Sequence, residues 1–189
     1  MVNQPSADPN NRSLRKAELL KNRAVTDVFE PGSIFKPFII AAALESGNFK
    51  PESIIDTTPF DLGSKLIGDD RCEGELNLEM ILVKSCNAGA ARISLAMEPK
   101  VLFDTLTKLG ISQITASGFP GEVRGSLGNY QNWRPIKQAT LSYGYGVSVT
   151  PLQLAKAYAA IANGGIVNQI SIEKIKVKSN GERALSEDT

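Results

Sequence analysis

The segment at residues 30–37, with the sequence EPGSIFKP, constrains the fold of this chain more than any other stretch. A Pro-Gly pair is typical of a turn, and here it leads into a run of apolar residues. Pro37 is tolerated in a helix only near the amino end, where backbone N–H groups have no intrahelical partner. The segment therefore predicts a turn followed by a helix that starts close to Gly32 or Ser33.

Apolar spacing and end signals predict the other helices. Proline at the first helical position and glycine after the last turn are the strongest of these signals. We predict helices at residues 33–46, 76–84, 88–97 and 99–109, and one from residue 151 to the glycine pair at 164–165. Gly47 and Gly110 end two of them, and Thr150 is a favourable cap for the last one.

The strand signals lie mainly near the two ends of the chain. Residues 1–3 resemble the end of a strand, and residues 170–177 have partly alternating, β-rich character. Residues 179–182 have the composition of a hairpin turn. We predict loop with short strands at 50–70 and glycine-rich loop at 117–130. The sequence thus predicts an α+β chain in which helices dominate.

Composition excludes several classes of function. Charged residues make up 22% of the 189 residues and the net charge is +1, so neither a nucleic-acid-binding surface nor a polybasic membrane patch is expected. No apolar stretch approaches the roughly 20 residues that span a bilayer, and the amino terminus lacks the pattern of a signal peptide. The length suits one domain. The absence of histidine and of paired-cysteine spacing argues against a metal site.

Ser33 and Lys36 form the first candidate catalytic pair. A serine hydroxyl is a weak nucleophile until a base takes its proton, and without histidine the serine–histidine–carboxylate arrangement is impossible. Residues three apart share a helix face, so Lys36 can reach the Ser33 hydroxyl. A lysine acts as a base only when burial lowers its pKa from about 10.4. The neighbours that would form such a dry pocket are Ile34, Phe35, Phe38 and Ile39.

The same Ser-x-x-Lys spacing occurs twice more without a catalytic context. Ser13, three residues before Lys16, lies in a charged and polar stretch. Ser171 and Lys174 lie in a predicted strand, where their side chains would point to opposite faces. The spacing by itself is therefore a weak signal, and an ordinary helix start with a solvated lysine stays open as the alternative for Ser33.

The run Ser85-Cys86-Asn87 strengthens the catalytic interpretation. It lies in a break between two predicted helices, where a hydroxyl and an amide can point into a cleft. Ser85 could relay a proton between Lys36 and a leaving group, and Asn87 could hold a substrate amide. Helix capping is the alternative for both residues, as it is for the run SGN at residues 46–48, which lies at a predicted helix end.

Cys72 and Cys86 are the only cysteines in the chain. They can pair in an oxidising compartment, but two cysteines by themselves determine neither their partner nor the compartment. Two independent thiols are therefore the interpretation that the sequence favours.

Four longer segments surround these residues: RAVTDVFEPGS at 23–33, KSCNAGA at 84–90, SGFPGE at 117–122 and LSYGYGVSVTPLQLA at 141–155. Together they resemble the class B penicillin-binding proteins, especially the septal, division-specific type. The first two are similar to the nucleophile segment and the Ser-x-Asn segment of that family, and the last two are similar to segments of the septal type. The match runs from residue 1 to about residue 165.

The resemblance implies a peptidoglycan D,D-transpeptidase with the α+β, penicillin-binding/β-lactamase-like fold, mostly its helical part with an incomplete sheet. By position, Ser33 would be the nucleophile that forms an acyl-enzyme, Lys36 its base and Ser85 the proton relay. Asn87 would contact the substrate. Tyr145 would form part of the cleft wall, with a plain core tyrosine as the alternative.

The resemblance also implies partners and a location. The substrate would be a peptidoglycan stem peptide ending in D-Ala-D-Ala, which loses its terminal D-Ala and is joined to the amine of a second stem peptide. β-Lactam antibiotics would acylate the same serine, and division-complex proteins would bind the full-length protein. No cofactor, metal or nucleic acid is implied. The location would be the periplasmic face of the bacterial inner membrane, with an anchor outside this chain.

One departure from the family pattern concerns a third motif, Lys-Thr/Ser-Gly, on a strand that flanks the cleft. The chain contains no such triplet, and KSNG at residues 178–181 lacks its spacing. We therefore expect residues 1–189 to be a partial transpeptidase domain, without the start of its first strand and without the strand of the third motif. One alternative is a catalytically inert fragment. Another is a serine D,D-carboxypeptidase or β-lactamase of the same superfamily, in which water takes the acyl group.

Overall fold

A computed structural model describes residues 8, 10, 11, 13, 16–174 and 180–189. The α-helices of this part are α1 (Arg23–Thr26), α2 (Lys36–Glu45), α3 (Leu78–Lys84), α4 (Asn87–Leu95), α5 (Pro99–Lys108), α6 (Pro135–Leu141) and α7 (Pro151–Ala162). The strands are β1 (Ile54–Asp56), β2 (Phe60–Leu62), β3 (Lys65–Ile67), β4 (Glu75–Asn77), β5 (Ile166–Val167) and β6 (Glu182–Arg183). Short 3-10 helices lie at Ala17–Leu20, Gly32–Phe35 and Tyr130–Asn132.

Helix α2 occupies the centre of the fold. Seven of its ten residues are buried, so it is surrounded by protein rather than half exposed. It packs against α3, α4 and α5. The large buried side chains at this contact are Phe38 and Ile39 of α2 itself and Ile81, Ile93, Leu102 and Leu106 of the helices around it. Because each such side chain contributes about 1.5–3 kcal/mol on burial, this apolar cluster holds α2 firmly in place.

The strands form three separate antiparallel pairs. β1 pairs with β4, with Ile54 opposite Asn77, and β2 pairs with β3 as a hairpin. β5 pairs with β6, with Ile166 opposite Arg183. Within the described ranges no sheet has more than two strands. Helices therefore dominate a mixed fold, which confirms the predicted α+β class.

The predicted helix ends agree with the structure where proline or glycine marks them. The helix expected at 33–46 begins as the 3-10 turn Gly32–Phe35 and continues as α2. Gly47 follows it in the left-handed conformation, with a φ of +72°. Helix α7 starts after Thr150, whose side chain forms a capping box with Gln153.

Three helices differ from expectation, and the first is the four-residue α1, which was not predicted. Helix α6 starts at Pro135 and was not predicted, although a proline at the first helical position is the same signal that marked α5 and α7. Helix α3 starts at Leu78, two residues later than predicted. The reason is that the preceding residues pair as β4, and the Asn77 side chain then caps α3 by accepting from the Met80 N–H at 2.9 Å.

The strand predicted at 170–177 is wrong wherever it can be compared. Residues 170–174 are not in a strand, and residues 175–177 lie outside the described residues. The last strands that the structure describes are β5 and β6, which pair with each other next to the point where the Gly165 carbonyl accepts the Ala184 and Leu185 N–H groups, and side-chain alternation does not report such a pairing. Ser171 is thus exposed in a non-strand segment, and the argument from opposite strand faces does not apply to it. Residues 1–3, predicted to end a strand, and the first residue of the turn predicted at 179–182 are also outside the described residues.

Candidate active site

The Lys36 side chain lies at the centre of the candidate active site, between two serine hydroxyls. Its Nζ atom is 3.2 Å from Ser33 Oγ and 3.0 Å from Ser85 Oγ, and it also donates to the backbone carbonyl of Ser85. Lys36 is the first residue of α2, Ser33 lies in the 3-10 turn before it, and Ser85 follows α3. The Ser-x-x-Lys pair and the second serine therefore meet at one nitrogen atom.

Burial changes the protonation of Lys36, which is 1% exposed. Desolvation disfavours the charged ammonium group and lowers the pKa of Lys36 from 10.5 to about 8. Asp69 raises this pKa and Arg71 lowers it, each by less than burial does. Roughly a tenth of the Lys36 side chains are then neutral at pH 7. A neutral amine at this position can accept the proton of the Ser33 hydroxyl.

The apolar surroundings of Lys36 agree with the predicted dry pocket at three of four positions. Phe35, Phe38 and Ile39 are fully buried, whereas Ile34 is 47% exposed and lies on the outer side of the turn. The Tyr158 hydroxyl donates to the Ile34 carbonyl at 2.6 Å, and its ring packs edge-on against Phe38 at 4.9 Å. Tyr158, which sequence reasoning missed, thus links α7 to the turn that carries the candidate nucleophile.

Close backbone packing holds that turn from the other side. The Gly32 N–H donates to the Gly144 carbonyl at 3.2 Å, and Gly144 has a φ of +84°. A Cβ atom at Gly144 would lie 2.1 Å from the Gly32 oxygen, so only glycine fits there. Phe29 and Val149 exchange two backbone hydrogen bonds of 3.0 Å. The segment at 144–149 therefore sets the position of Ser33 through main-chain contacts.

Tyr145 lies on the turn next to Gly144. Glu30 accepts the Gly146 N–H at 2.7 Å, and the Lys137 ammonium group donates to the Gly146 carbonyl. Tyr145 is 54% exposed, and its ring stands edge-on to Tyr143 with centroids 5.9 Å apart. A core tyrosine is buried, so that alternative for Tyr145 is wrong.

The 85–87 segment separates α3 from α4. Ser85 has the left-handed conformation with a φ of +59°, which is costly for a residue with a side chain. Its hydroxyl contacts Lys36 instead of a helix end. Cys86 precedes α4 without a side-chain cap, and Asn87 is already the first residue of that helix. Ser85 ends α3 through its backbone N–H, which explains its left-handed conformation, but capping accounts for neither the contact of the Ser85 hydroxyl with Lys36 nor the Asn87 amide.

Cys72 and Cys86 form a disulfide, with Cα atoms 5.8 Å apart, which corrects the prediction of two independent thiols. The pairing depends on the loop at residues 69–72 folding back over the 85–87 segment, and the spacing of the cysteines does not signal that. The same loop contributes Asp69, whose carboxylate accepts the Asn87 N–H at 2.6 Å. Sequence reasoning missed Asp69 and Arg71, because their effect on Lys36 exists only in the folded chain.

The structure brings three of the five predicted site residues into direct contact: Ser33, Lys36 and Ser85. Asn87 adjoins them through the backbone, and Tyr145 adjoins them through Gly144. Among the described residues, no hydrogen bond joins the Asn87 amide or the Tyr145 hydroxyl to these three.

The part of the chain that the structure describes contains no group of acidic or cysteine residues that could hold a metal ion. None of its helices is long and apolar enough to cross a membrane.

This geometry suits acyl transfer through a serine. Neutral Lys36 can take the Ser33 proton, which leaves an alkoxide-like nucleophile. The Ser85 hydroxyl lies on the other side of the same amine, so a proton can move from Ser33 to Ser85 through one nitrogen atom. Both steps need a site without water, because hydration would return the pKa of Lys36 toward 10.5 and keep its amine protonated at neutral pH.

The sequence matches the penicillin binding protein transpeptidase domain family over residues 1–189. The chain belongs to this family. Among its relatives in the family, "Peptidoglycan D,D-transpeptidase FtsI" of Escherichia coli K12 is 41% identical over 187 residues, covering 99% of this chain and 32% of the relative. "Probable peptidoglycan D,D-transpeptidase PenA" of Neisseria meningitidis serogroup A is 40% identical over 189 residues, covering 100% of this chain and 32% of the relative.

Solved structures of the transpeptidase family agree with the fold. The apo transpeptidase domain of penicillin-binding protein 3 from Burkholderia pseudomallei has a TM-score of 0.84 and 41% identity, covering 88% of this chain and 52% of that one. A structure described as a peptidoglycan glycosyltransferase from Burkholderia ambifaria has a TM-score of 0.84 and 39% identity, covering 88% of this chain and 54% of that one. The chain thus spans about a third of the length of the curated relatives and about half of the solved chains.

Proposed function

We propose that this protein is a peptidoglycan D,D-transpeptidase that cross-links stem peptides during septal cell-wall synthesis through a serine acyl-enzyme. One observation carries the proposal: a buried lysine amine lies within 3.2 Å of one serine hydroxyl and 3.0 Å of another. Family membership and the names of the relatives support the same activity.

In the acylation step, Ser33 Oγ attacks the carbonyl carbon of the penultimate D-Ala. The hydroxyl proton passes to Lys36 Nζ as the new C–O bond forms. The C–N bond to the terminal D-Ala then breaks, and the leaving amine receives a proton from Ser85 Oγ, which is replenished from Lys36. The products are free D-Ala and a stem peptide held as an ester on Ser33. The short distances from Lys36 Nζ to both hydroxyls support this route.

In the transfer step, the amine of a second stem peptide attacks the ester. Lys36 accepts a proton from that amine, and the proton returns to Ser33 Oγ as the ester bond breaks. A β-lactam follows the first step only: its amide bond opens, and the leaving nitrogen stays tethered to the acyl group. The leaving nitrogen therefore remains at the site where the second amine would have to approach.

Asn87 and Tyr145 are proposed to contact the substrate. Asn87 starts α4 beside Ser85, where its amide can bond to a peptide amide of the stem peptide. Tyr145 is held on an exposed turn beside the nucleophile segment, where an aromatic ring can line the cleft. Removing either side chain is expected to weaken substrate binding more than it slows acylation by small β-lactams.

Residues 1–189 are proposed to be the part of the transpeptidase domain that carries the Ser-x-x-Lys and Ser-x-Asn segments. The proposed location is the periplasmic face of the bacterial inner membrane, with division-complex proteins as partners. A disulfide beside the site supports an oxidising compartment, because structural disulfides are rare in reducing ones.

Labelled penicillin followed by intact-mass measurement tests the proposed acylation. The wild-type protein is expected to gain one stable adduct, and Ser33→Ala is expected to gain none. Ser171→Ala is a matched control, because Ser171 has the same Ser-x-x-Lys spacing in an exposed segment, and this variant should label like the wild type.

Two results would contradict the proposal. Labelling of Ser33→Ala would exclude Ser33 as the nucleophile, and rapid loss of the adduct would indicate a β-lactamase, in which water takes the acyl group. Release of D-Ala from a stem peptide, together with a cross-linked product, is the corresponding measurement for the full reaction. Release of D-Ala without a cross-linked product would indicate a carboxypeptidase.

A further inference from the structure

The 69–72 loop, with the sequence DDRC, is attached to the 85–87 segment at two consecutive residues. Cys72 is bonded covalently to Cys86. Asp69 accepts the backbone N–H of the next residue, Asn87, at 2.6 Å. Hydrogen bonds to a charged acceptor are the stronger kind. A covalent bond and a charged hydrogen bond thus join the same two short stretches of chain.

These attachments lie where the 85–87 segment most needs support. Ser85 ends α3 in the left-handed conformation, and its backbone bonds fix it to that helix and not to the loop or to α4. The Cys86 side chain does not cap α4, so the first N–H of that helix depends on the Asp69 carboxylate of the loop. The backbone N–H groups of Ser85 and Cys86 bond only to the end of α3, at Leu82 and Ile81, and so do not hold the segment against the loop.

We propose that the Cys72–Cys86 disulfide is a positioning element for acylation, which holds the Ser85 hydroxyl against Lys36 and the start of α4 against Asp69. This inference rests on the proposed function. It adds a requirement: the protein acylates at its full rate only with this bond formed. Both sulfur-bearing residues are buried, at 1% and 0% exposure, so a dissolved thiol reaches them only after local opening. The bond therefore acts as a fixed constraint rather than as a rapid switch.

Release of the loop also changes the surroundings of Lys36. Burial is the main cause of its lowered pKa, and the loop carries both Asp69 and Arg71, the charges that act on it. When the loop moves away, the effects of Asp69 and Arg71 on this pKa, which are opposite in sign, are both lost, and the entry of water removes part of the larger effect of burial, so we expect the pKa of Lys36 to rise. The pH midpoint of acylation is then expected to move to higher pH, which a loss of global stability alone would not cause.

The test compares the wild-type protein, the double variant Cys72→Ser/Cys86→Ser, and wild-type protein reduced under native conditions with dithiothreitol. In the reduction, the dithiol supplies two electrons, the S–S bond becomes two protein thiols, and the reagent closes to its own disulfide. The measurements are the rate constant for penicillin acylation from pH 6 to 10 and the melting temperature. Ile111→Ala is the control, because it empties part of the core at a buried residue that belongs to neither the 69–72 loop nor the 85–87 segment.

We expect both disulfide-free forms to acylate about tenfold more slowly at pH 7, since a small displacement of a catalytic group has effects of this size or larger. Their pH midpoint should move to higher pH, and reoxidation of the reduced protein should restore the rate and the midpoint. Ile111→Ala should lose melting temperature and keep the wild-type midpoint.

A wild-type rate and midpoint in a folded disulfide-free form would overturn the inference and leave the proposed function standing. If the double variant does not fold, the rate and pH midpoint of the reduced wild-type protein decide the question in the same way. Absence of acylation in the oxidised wild-type protein, by contrast, would overturn the proposed function itself.

Discussion

The two sides of the candidate site are held in place by different forces. On the nucleophile side, Gly32 and Gly144 pack backbone against backbone, and Phe29 pairs with Val149. On the 85–87 side, one disulfide and one carboxylate hold the segment to the 69–72 loop. Lys36 bridges the two sides, because its backbone belongs to the first and its Nζ atom contacts the second.

This difference predicts different sensitivities. The nucleophile side has no room for an added atom at Gly144, and its main-chain contacts do not depend on pH or redox state. The 85–87 side depends on a bond that can be reduced and on a charge that can be neutralised. An added side-chain atom should therefore disrupt the nucleophile side, whereas reduction of the disulfide or loss of the Asp69 charge should disrupt the 85–87 side. A substitution can therefore be aimed at one side alone or at Lys36, which bridges the two.

The largest effect is expected from Lys36→Met, which removes the bridge itself. Methionine has a similar length and no charge, so the buried site should accept it. Acylation of Ser33 by penicillin should fall about 10²–10⁴-fold, the range for loss of a general base. Time-resolved intact-mass measurement gives the rate, and Lys156→Met is the control for loss of a lysine elsewhere. A wild-type rate in Lys36→Met would show that another group is the base.

Gly144→Ala should break the nucleophile side alone. The new Cβ would meet the Gly32 oxygen at 2.1 Å, so the turn carrying Ser33 has to move, and acylation should fall by about 10²-fold. Gly121→Ala is the matched control, because Gly121 has nearly the same φ, +82°, with its nearest neighbour at 3.6 Å. Both variants have the backbone cost, and only Gly144→Ala has the clash. Equal rates in the two variants would contradict the packing argument.

The lowered pKa of Lys36 should appear in the stability of the protein. In the unfolded chain Lys36 titrates near 10.5, and in the folded chain near 8. Between these pH values the unfolded state binds more protons, so the free energy of unfolding should rise with pH across this window, by about 3 kcal/mol from this group. Urea unfolding at several pH values measures it. The difference between the wild type and Lys36→Met isolates Lys36, and a flat difference would rule out the pKa shift.

The smallest effect is expected from Asp69→Asn, which neutralises the charge on the loop and keeps an oxygen that can accept the Asn87 N–H. Asp69 raises the pKa of Lys36, so this variant should lower that pKa and move the midpoint of acylation to lower pH. Asp70→Asn, at the neighbouring position of the same loop, is the matched control and should leave the midpoint unchanged. A shift to higher pH in Asp69→Asn would mean that loosening of the loop outweighs the charge.

Much of the fold was predictable from local signals. Pro37 and Gly47 mark the two ends of the helical segment that carries Ser33 and Lys36, because proline and glycine restrict the backbone wherever they occur. Thr150 and Gln153 mark the start of α7 in the same way. The strand prediction was wrong at residues 170–174 because pairing between distant strands depends on backbone partners that alternation does not identify.

The site was predictable in its residue types but not in its support. Ser33 and Lys36 are three residues apart, so helix geometry brings them together. Ser85 joins them from 49 residues away in sequence, and only packing of α3 beside α2 makes that contact. Tyr158 reaches the nucleophile turn from even further along the chain. Long-range contacts of this kind leave no periodic pattern in the sequence.

By itself, the sequence determined where the helical segment with Ser33 and Lys36 begins, that no histidine is available for the chemistry, and which family the motifs resemble. These depend on backbone restrictions and on residue types within one or two helical turns. Only the tertiary structure decided that Lys36 is dry enough for its pKa to fall to about 8, and that Cys72 pairs with Cys86. Burial and covalent pairing depend on which distant segments meet, and the packing of the whole chain decides that.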